Sequence, residues 1–375
     1  MNRVEQHLSH KLEERTQAGN LRALPVGRQA IDFFSNDYLG LATTGLLQSL
    51  VPNIHTGQST GSTGSRLLSG NNVQTEELET LIASFHKAEA ALLFNSGYDA
   101  NVGLLSCIPS RHTTILYDEL CHASIIDGVR LSQCTRKYKF GHNDVHELEE
   151  QLKKYSEQGP LLVVVESVYS MDGDMAPLTE LVALCETHDA QLIVDEAHAT
   201  GVFGNHGEGL VCLLNLQDRV FARVHTFGKA LGCHGAVVVG STLLQQYLIN
   251  FARSFIYTTA LPGHSVAAIK AAYDHLAGNG FSNKALHDLI DHFRMRIQES
   301  GNVNWRNSRS AIQALVIGDN GRCKEMATRL QQAGLQVNPI LQPTVPVGME
   351  RLRVCLHTFN TTEEVDMLFE CIRNP

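Results

Sequence analysis

Apolar and polar positions follow two rhythms along the first two-thirds of the chain. Short apolar runs of strand length stand at Ala90–Phe94, Thr113–Tyr117, Leu161–Val165, Gln191–Val194 and Gly235–Gly240, and a β-leaning run covers Arg219–Val224. Stripes at helical spacing fall between them: Leu78, Leu81, Ile82 and Phe85, then a helix through Asn101–Leu105, then Leu178, Leu181, Val182 and Cys185. Strands alternating with helices predict an α/β domain on a mostly parallel central sheet flanked by helices, with function at the C-terminal strand ends. Ahead of it, Val4–Arg15 reads as an amphipathic helix and Ile31–Gly40 as a strand entering a turn. The rhythm changes after Leu261-Pro262-Gly263. Leu286, Leu289, Ile290, Phe293 and Ile297 mark a long helix, and strands at Ala311–Ile317 and Leu352–Leu356 flank a helix near Glu325–Gln332. Thr361 and Glu364 fit a capping box that opens a last helix. The expected organisation is an N-terminal segment (1–45) packing with a small α+β domain (263–375), and a large domain (46–262).

Composition narrows the classes. The chain has 375 residues, 43% hydrophobic and 18% charged, enough for a large core. A net charge of -9 without a basic run argues against a nucleic-acid partner. No apolar window approaches the roughly 18 residues a membrane helix needs, and Met1–Asn20 has no apolar run of the signal-peptide kind. Nine cysteines, an odd number without a C-x-x-C pair, fit reduced thiols and a cytoplasmic protein. The 18 histidines include no H-E-x-x-H, so no metal site is expected.

Polar residues cluster at the strand ends. Asp118 and His122 follow one strand, Glu166, Ser170 and Asp172 another, and Asp195-Glu196-Ala197-His198 a third. Asn95-Ser96-Gly97-Tyr98 joins a strand to a helix, a turn whose free N–H groups and helix dipole favour phosphate. A glycine- and serine-rich loop, Gly61-Ser62-Thr63-Gly64-Ser65-Arg66, lets the backbone approach a ligand closely. Lys229 lies on a glycine-flanked loop between two core strands. A lone loop lysine is ordinarily solvated, but a partly desolvated one can form a Schiff base.

Two other motifs compete and fail. Gly57-Gln58-Ser59-Thr60-Gly61 spells the G-x-S-x-G of serine hydrolases, but Pro52–Thr56 is a poor preceding strand and the residues after it stay glycine-rich. Asp195-Glu196-Ala197-His198 spells a helicase DEAH, but no phosphate loop G-x-x-x-x-G-K-[ST] accompanies it. The whole set fits pyridoxal phosphate. That cofactor needs a lysine for its Schiff base and an anion for its pyridinium nitrogen, here Lys229 and Asp195. A flat side chain must cover its ring, here His122, and Ser96-Gly97-Tyr98 would take its phosphate.

In order along the chain, Ser35–Gly40, Gly61–Gly70, Asn95–Tyr98, Cys121–Ser124, Gly141–Asp144, Ser170–Asp174, Val194–His198, Thr226–Lys229, Tyr257–Thr259 and Arg351–Arg353 resemble the motifs of the α-oxoamine synthases. These are pyridoxal-phosphate enzymes of fold type I. Ser35–Leu41, Ser310–Gln313, Gly318–Asn320 and Pro343–Pro346 carry the likeness furthest toward the biotin-pathway members. The resemblance implies a homodimer that condenses L-alanine with a pimeloyl thioester of coenzyme A or acyl-carrier protein, releasing CO₂ and free thiol. Sibling synthases use glycine or serine with another acyl group. It implies that Lys229 anchors the cofactor and shuttles the proton. Asp195 then pairs with the ring nitrogen, and His198 and Ser170 contact the ring-oxygen side. His122 stacks on the ring and meets the acyl substrate. Gly97, Tyr98 and Thr226 hold the cofactor, and Thr258 and Thr259 reach a neighbouring subunit's phosphate. Asn36 and Arg353 hold the amino acid, with Arg353 at its carboxylate, and Arg22 and Thr344 line the acyl end. Thr75 departs from the pattern, standing where many members carry histidine.

Overall fold

A computed structural model describes residues 1–24, 30–50 and 60–373. The chain opens with α1 (Arg3–Gln17), β1 (Ile31–Asp32), α2 (Leu46–Leu50) and α3 (Val73–Phe85). Strands and helices then alternate as β2 (Ala90–Phe94), α4 (Gly97–Cys107), β3 (Thr114–Asp118), α5 (Ala123–Leu131), β4 (Arg136–Phe140), α6 (Val145–Tyr155), β5 (Leu161–Glu166), α7 (Leu178–Thr187) and β6 (Ala190–Asp195). A short α8 (Leu210–Leu213) precedes β7 (Ala222–Thr226), β8 (Ala236–Gly240), α9 (Thr242–Phe251), α10 (Arg253–Ile256) and α11 (Gly263–Ala277). The remainder is α12 (Lys284–Ser300), β9 (Ile312–Val316), α13 (Asn320–Gln332), β10 (Leu335–Gln336), β11 (Asn338–Ile340), β12 (Arg351–Cys355) and α14 (Thr362–Arg373).

The chain divides into two compact units. The larger comprises residues 36–170 and 174–286. Its seven-stranded sheet has the order β2-β8-β7-β6-β5-β3-β4. Only β8 runs against the others, pairing antiparallel with both β2 and β7. Every residue of β2, β3, β5 and β7 is buried; cover on both faces explains the apolar runs of β2, β3 and β5, whereas β7 buries Arg223 and His225 with hydrogen-bond partners. β4, with the sequence Arg-Lys-Tyr-Lys-Phe, gives no such signal. It is one of the sheet's two edge strands, where charged side chains protect an open edge. The run read from Arg219 begins as a single 3-10 turn, and the strand proper starts at Ala222. Register sets Glu166 opposite Asp195 and Asp195 opposite Val224, so the ends of β5 and β6 are level and β7 runs two residues further, to Thr226. The pattern change at Pro262 is not an edge of this unit, because α11 buries Val266, Ile269, Ala272, Tyr273 and Leu276 and packs along α3.

The smaller unit comprises residues 1–35, 171–173 and 287–375. It holds the antiparallel sheet β11-β12-β9 and the parallel pair β1-β10. Phe293, Trp305 and Phe369 form its aromatic centre, with ring centroids 4.9 to 5.6 Å apart. Asp172 accepts from Arg306 at 3.1 Å and from Arg351. α14 opens with the expected reciprocal cap: the Thr361 amide donates to Glu364, and the Glu364 amide donates to Thr361 Oγ1.

Candidate active site

The chemistry gathers on the strand-end rim of the larger unit. Each strand there is rigid and buried, so the first polar residue past its end is held with little freedom. Asp195 ends β6 and is 6% exposed. Its Oδ1 accepts the Ala197 amide at 2.9 Å and its Oδ2 accepts Asn101 Nδ2 at 2.7 Å, the surroundings of a carboxylate. Beside it Glu166 ends β5 and accepts the His122 backbone N–H at 2.5 Å. Burial, reinforced by the Asp195 charge, pushes the Glu166 carboxyl up to about 8.

Lys229 is half-buried on the loop between β7 and β8. The loop is pinned by the Phe227 amide to the Gly235 carbonyl, the Cys233 amide to Phe227 and the Gly232 amide to Lys229. Gly232 has φ +62°, and a Cβ there would press on the backbone of Leu41 and Ala42, so only glycine closes this turn. The Lys229 ammonium lies 2.9 Å from His198 Nε2. The other ring nitrogen, Nδ1, is 2.7 Å from the Tyr38 hydroxyl, which donates to Asn36 Oδ1 at 3.0 Å. Tyr38, having given its proton to Asn36, accepts from His198 Nδ1–H, and Nε2 is then the acceptor that faces Lys229.

Ser96 caps α4, accepting the Asp99 amide at 3.1 Å, so the Gly97 and Tyr98 amides stand at the positive end of an eleven-residue helix. Gly97 faces Thr226 closely enough that a Cβ would meet its side chain at 3.4 Å. The Tyr98 hydroxyl donates to Asp127 at 2.5 Å. His122 caps α5. Burial and Lys229 hold its pKa below the ordinary imidazole value, against the pull of Asp195. Asn95 Nδ2 donates to Thr258 Oγ1 at 3.0 Å and to the Thr259 carbonyl at 2.8 Å. Ser170, half-buried, follows β5.

The larger unit therefore brings together Lys229, His198, Asp195, His122, Gly97 and Thr226, with Asn36 joined through Tyr38. Arg22, Thr344 and Arg353 belong to the smaller unit. There Arg22 Nη2 donates to Thr344 Oγ1 at 3.4 Å, and Arg353 is buried on β12 with Nη1 2.9 Å from Cys355 Sγ. Thr75 is buried in the first turn of α3, where its amide and hydroxyl both donate to Asn72. Ser59 lies outside the described residues. The sequence reading missed Tyr38, Asn101 and Glu166 as site residues. Glu166 had a signal, a carboxylate closing an all-apolar strand, and Asn101 had another, a polar side chain within an apolar helical stripe.

These residues fit pyridoxal phosphate by their donor chemistry: a paired carboxylate, a lysine amine directed by an imidazole, and helix-terminal amides beside a glycine that a side chain would crowd. Among the described residues no group of three or more metal-ligating side chains is assembled, and no helix is long and apolar enough to cross a membrane.

Residues 28–372 match the model of the aminotransferase class I and II family. The chain is 44% identical to the 8-amino-7-oxononanoate synthase of Emericella nidulans, over 92% of this chain and 88% of that one. Its backbone resembles a serine palmitoyltransferase from S. paucimobilis solved with a bound PLP–myriocin aldimine. That match has a TM-score of 0.88 at 25% identity and covers 100% of this chain and 98% of that one. It also resembles the 8-amino-7-oxononanoate synthase of Francisella tularensis, with a TM-score of 0.77 at 29% identity over 92% of this chain and 96% of that one.

Proposed function

The chain belongs to the aminotransferase class I and II family, and we propose that it is a pyridoxal-phosphate C-acyltransferase making 8-amino-7-oxononanoate from L-alanine and a pimeloyl thioester. The observation that carries the substrate choice is the 44% identity to a curated 8-amino-7-oxononanoate synthase across 92% of the chain. Bound pyridoxal phosphate supplies an electron sink for charge developing at the amino-acid Cα.

The chain's own residues do the rest. Lys229 would anchor the cofactor covalently, and its amine would take and return the proton at Cα. His198, backed by Tyr38 and Asn36, keeps a lone pair on Nε2 toward the lysine and so directs Nζ. Positioned proton transfer of this kind contributes about 10²–10⁴-fold. Asp195 pairs with the cofactor's ring nitrogen, while Gly97, Tyr98 and Thr226 take its phosphate and Ser170 its ring-oxygen side. Thr258 and Thr259 serve the phosphate of a neighbouring subunit in a homodimer. His122 covers the ring and orients the thioester carbonyl. Arg353 and Asn36 hold the alanine, Arg353 through its carboxylate, and Arg22 with Thr344 receives the far end of the acyl chain. The thiol of coenzyme A or acyl-carrier protein leaves, followed by CO₂. We place the enzyme in the cytoplasm, with its nine cysteines free.

A sibling synthase acting on serine or glycine has one observation in its favour, the higher TM-score to the serine palmitoyltransferase. Thiol release from pimeloyl-CoA, compared across alanine, glycine and serine, separates the two. Alanine is expected to be fastest, and faster release with serine or glycine overturns the assignment.

A further inference from the structure

Two buried side chains outside the assigned set, Asn101 on α4 and Ser124 on α5, connect Asp195 to His122. Gly128 lets the two helices meet, since a Cβ there would stand 2.9 Å from the Asn101 carbonyl oxygen and 2.9 Å from Leu105 Cβ. At that crossing Asn101 Nδ2 donates to Asp195 Oδ2 at 2.7 Å and to Ser124 Oγ at 3.0 Å. The nitrogen must face Asp195, because the flipped amide would set a carbonyl oxygen against a carboxylate. Asn101 is 2% exposed and Ser124 0%, so water does not substitute for either contact.

Ser124 then settles the state of His122. Its backbone N–H points at His122 Nδ1 from 3.2 Å, and its hydroxyl lies 2.7 Å from the same nitrogen. A backbone N–H can only donate, so Nδ1 must carry a lone pair. The hydroxyl oxygen accepts from Asn101, and its one proton goes to Nδ1. The hydrogen of the imidazole therefore sits on Nε2, and protonating Nδ1 would set it against the Ser124 backbone N–H and force the Ser124 hydroxyl to turn round.

We propose that Asn101 and Ser124 are positioning residues that hold His122 as the neutral Nε2–H tautomer and fix its orientation relative to Asp195. The proposal rests on the reading of His122 and Asp195 as groups that face the cofactor. Its consequence is a division of labour. His122 offers the substrate one hydrogen-bond donor and no acceptor, so it polarises the thioester carbonyl and leaves the Cα proton to Lys229. The charged groups acting on the ring are Asp195 and Asp127, which favour its protonation, and Lys229, which opposes it together with burial. Glu166 meets only the His122 backbone N–H.

The test is ring-¹⁵N histidine NMR of the holoenzyme between about pH 5 and 8, the range in which an unconstrained imidazole titrates. His122 is assigned by the signal lost in His122→Asn. The expected spectrum shows Nδ1 bare, Nε2 protonated and no titration. Ser124→Ala, which removes the hydroxyl contact and keeps the backbone N–H, is expected to bring His122 partly into titration within that window and to add an acidic limb to the kcat/KM profile. Asn101→Ala is expected to do the same to a smaller extent. A parent His122 that titrates there, or carries its proton on Nδ1, overturns the proposal without recourse to any variant. A Ser124→Ala spectrum identical to the parent also overturns it. Protein that never forms a Schiff base with added pyridoxal phosphate, yet shows the locked tautomer, supports the lock and overturns the cofactor reading instead.

Discussion

Two histidine centres in the larger unit, one partly exposed and one fully buried, end in opposite charge states. His142 lies between two carboxylates, with Nδ1 3.0 Å from Asp118 and Nε2 2.6 Å from Asp174. Burial opposes its charge, but the two acidic partners outweigh burial and raise its pKa to about 10. His86 and His225 stack face to face behind the Lys229 loop, with centroids 3.7 Å apart. His86 donates to the Glu208 carbonyl and accepts from Tyr273, and Arg223 stands beside the pair. Burial, with Arg223 adding to it, lowers His86 to about 3, and His225 falls well below its ordinary value for the same reasons. Burial pushes all three rings toward neutrality, and only His142 has the acidic partners that reverse it. The cationic centre fixes the turn after β3 that leads to His122: Asp118, which holds His142, also accepts the Leu120 and Asn143 amides. The neutral pair lets β7 deliver Thr226 and Lys229 without placing two more cations behind the lysine.

The comparison breaks most visibly if His142 is removed. His142→Leu leaves two carboxylates facing each other without a cation, and a loss of about 3 kcal/mol is expected in urea unfolding. His86→Phe, which strands the Tyr273 hydroxyl and the Glu208 carbonyl, should cost about 1–3 kcal/mol. A smaller His142 effect than His86 effect would reverse the ranking.

Stability against pH sharpens the contrast, because the two centres act on opposite flanks. The pKa of His142 is raised on folding, so its contribution is complete below the unfolded value of about 6.5 and is lost as pH climbs through about 10. His86 and His225 are lowered, so their contribution is complete above about 6.5 and is lost as pH falls, for His86 through about 3. His142→Gln should flatten the alkaline flank and leave the acid one, and His86→Gln should do the reverse, as followed by thermal melts across the range.

The smallest effect expected is at Glu166. Its raised pKa means that ionising it in the folded state costs stability as pH rises toward about 8, so Glu166→Gln should be the more stable protein at and above that pH. A melt that instead drops at pH 8 would show the carboxylate to be stabilised there.

Much of this architecture was legible from the chain. β2 and β5 stand out because strands covered on both faces are mostly apolar. β4 does not, because its lysines and arginine serve an edge, and edge chemistry reads as loop. Of the residues named from sequence, Asp195 ends β6, His122 caps α5 and Lys229 lies on the loop after β7, positions that the alternating pattern itself marks. Their supports were invisible for a geometric reason. Asn101, Ser124 and Tyr38 act across helix crossings and long loops, and nothing local in a sequence records which hydroxyl will meet which ring. His142 was quoted as part of a motif, but its charge depends on Asp118 and Asp174 converging from separate loops.

The account stands on Lys229 as the covalent anchor. Incubating the protein with pyridoxal phosphate, reducing with borohydride and mapping the modified peptide by mass spectrometry tests this directly. Lys229 is expected to carry the reduced cofactor at near-unit stoichiometry, and Lys229→Ala to carry none. Labelling spread over surface lysines, or undiminished in Lys229→Ala, would contradict it.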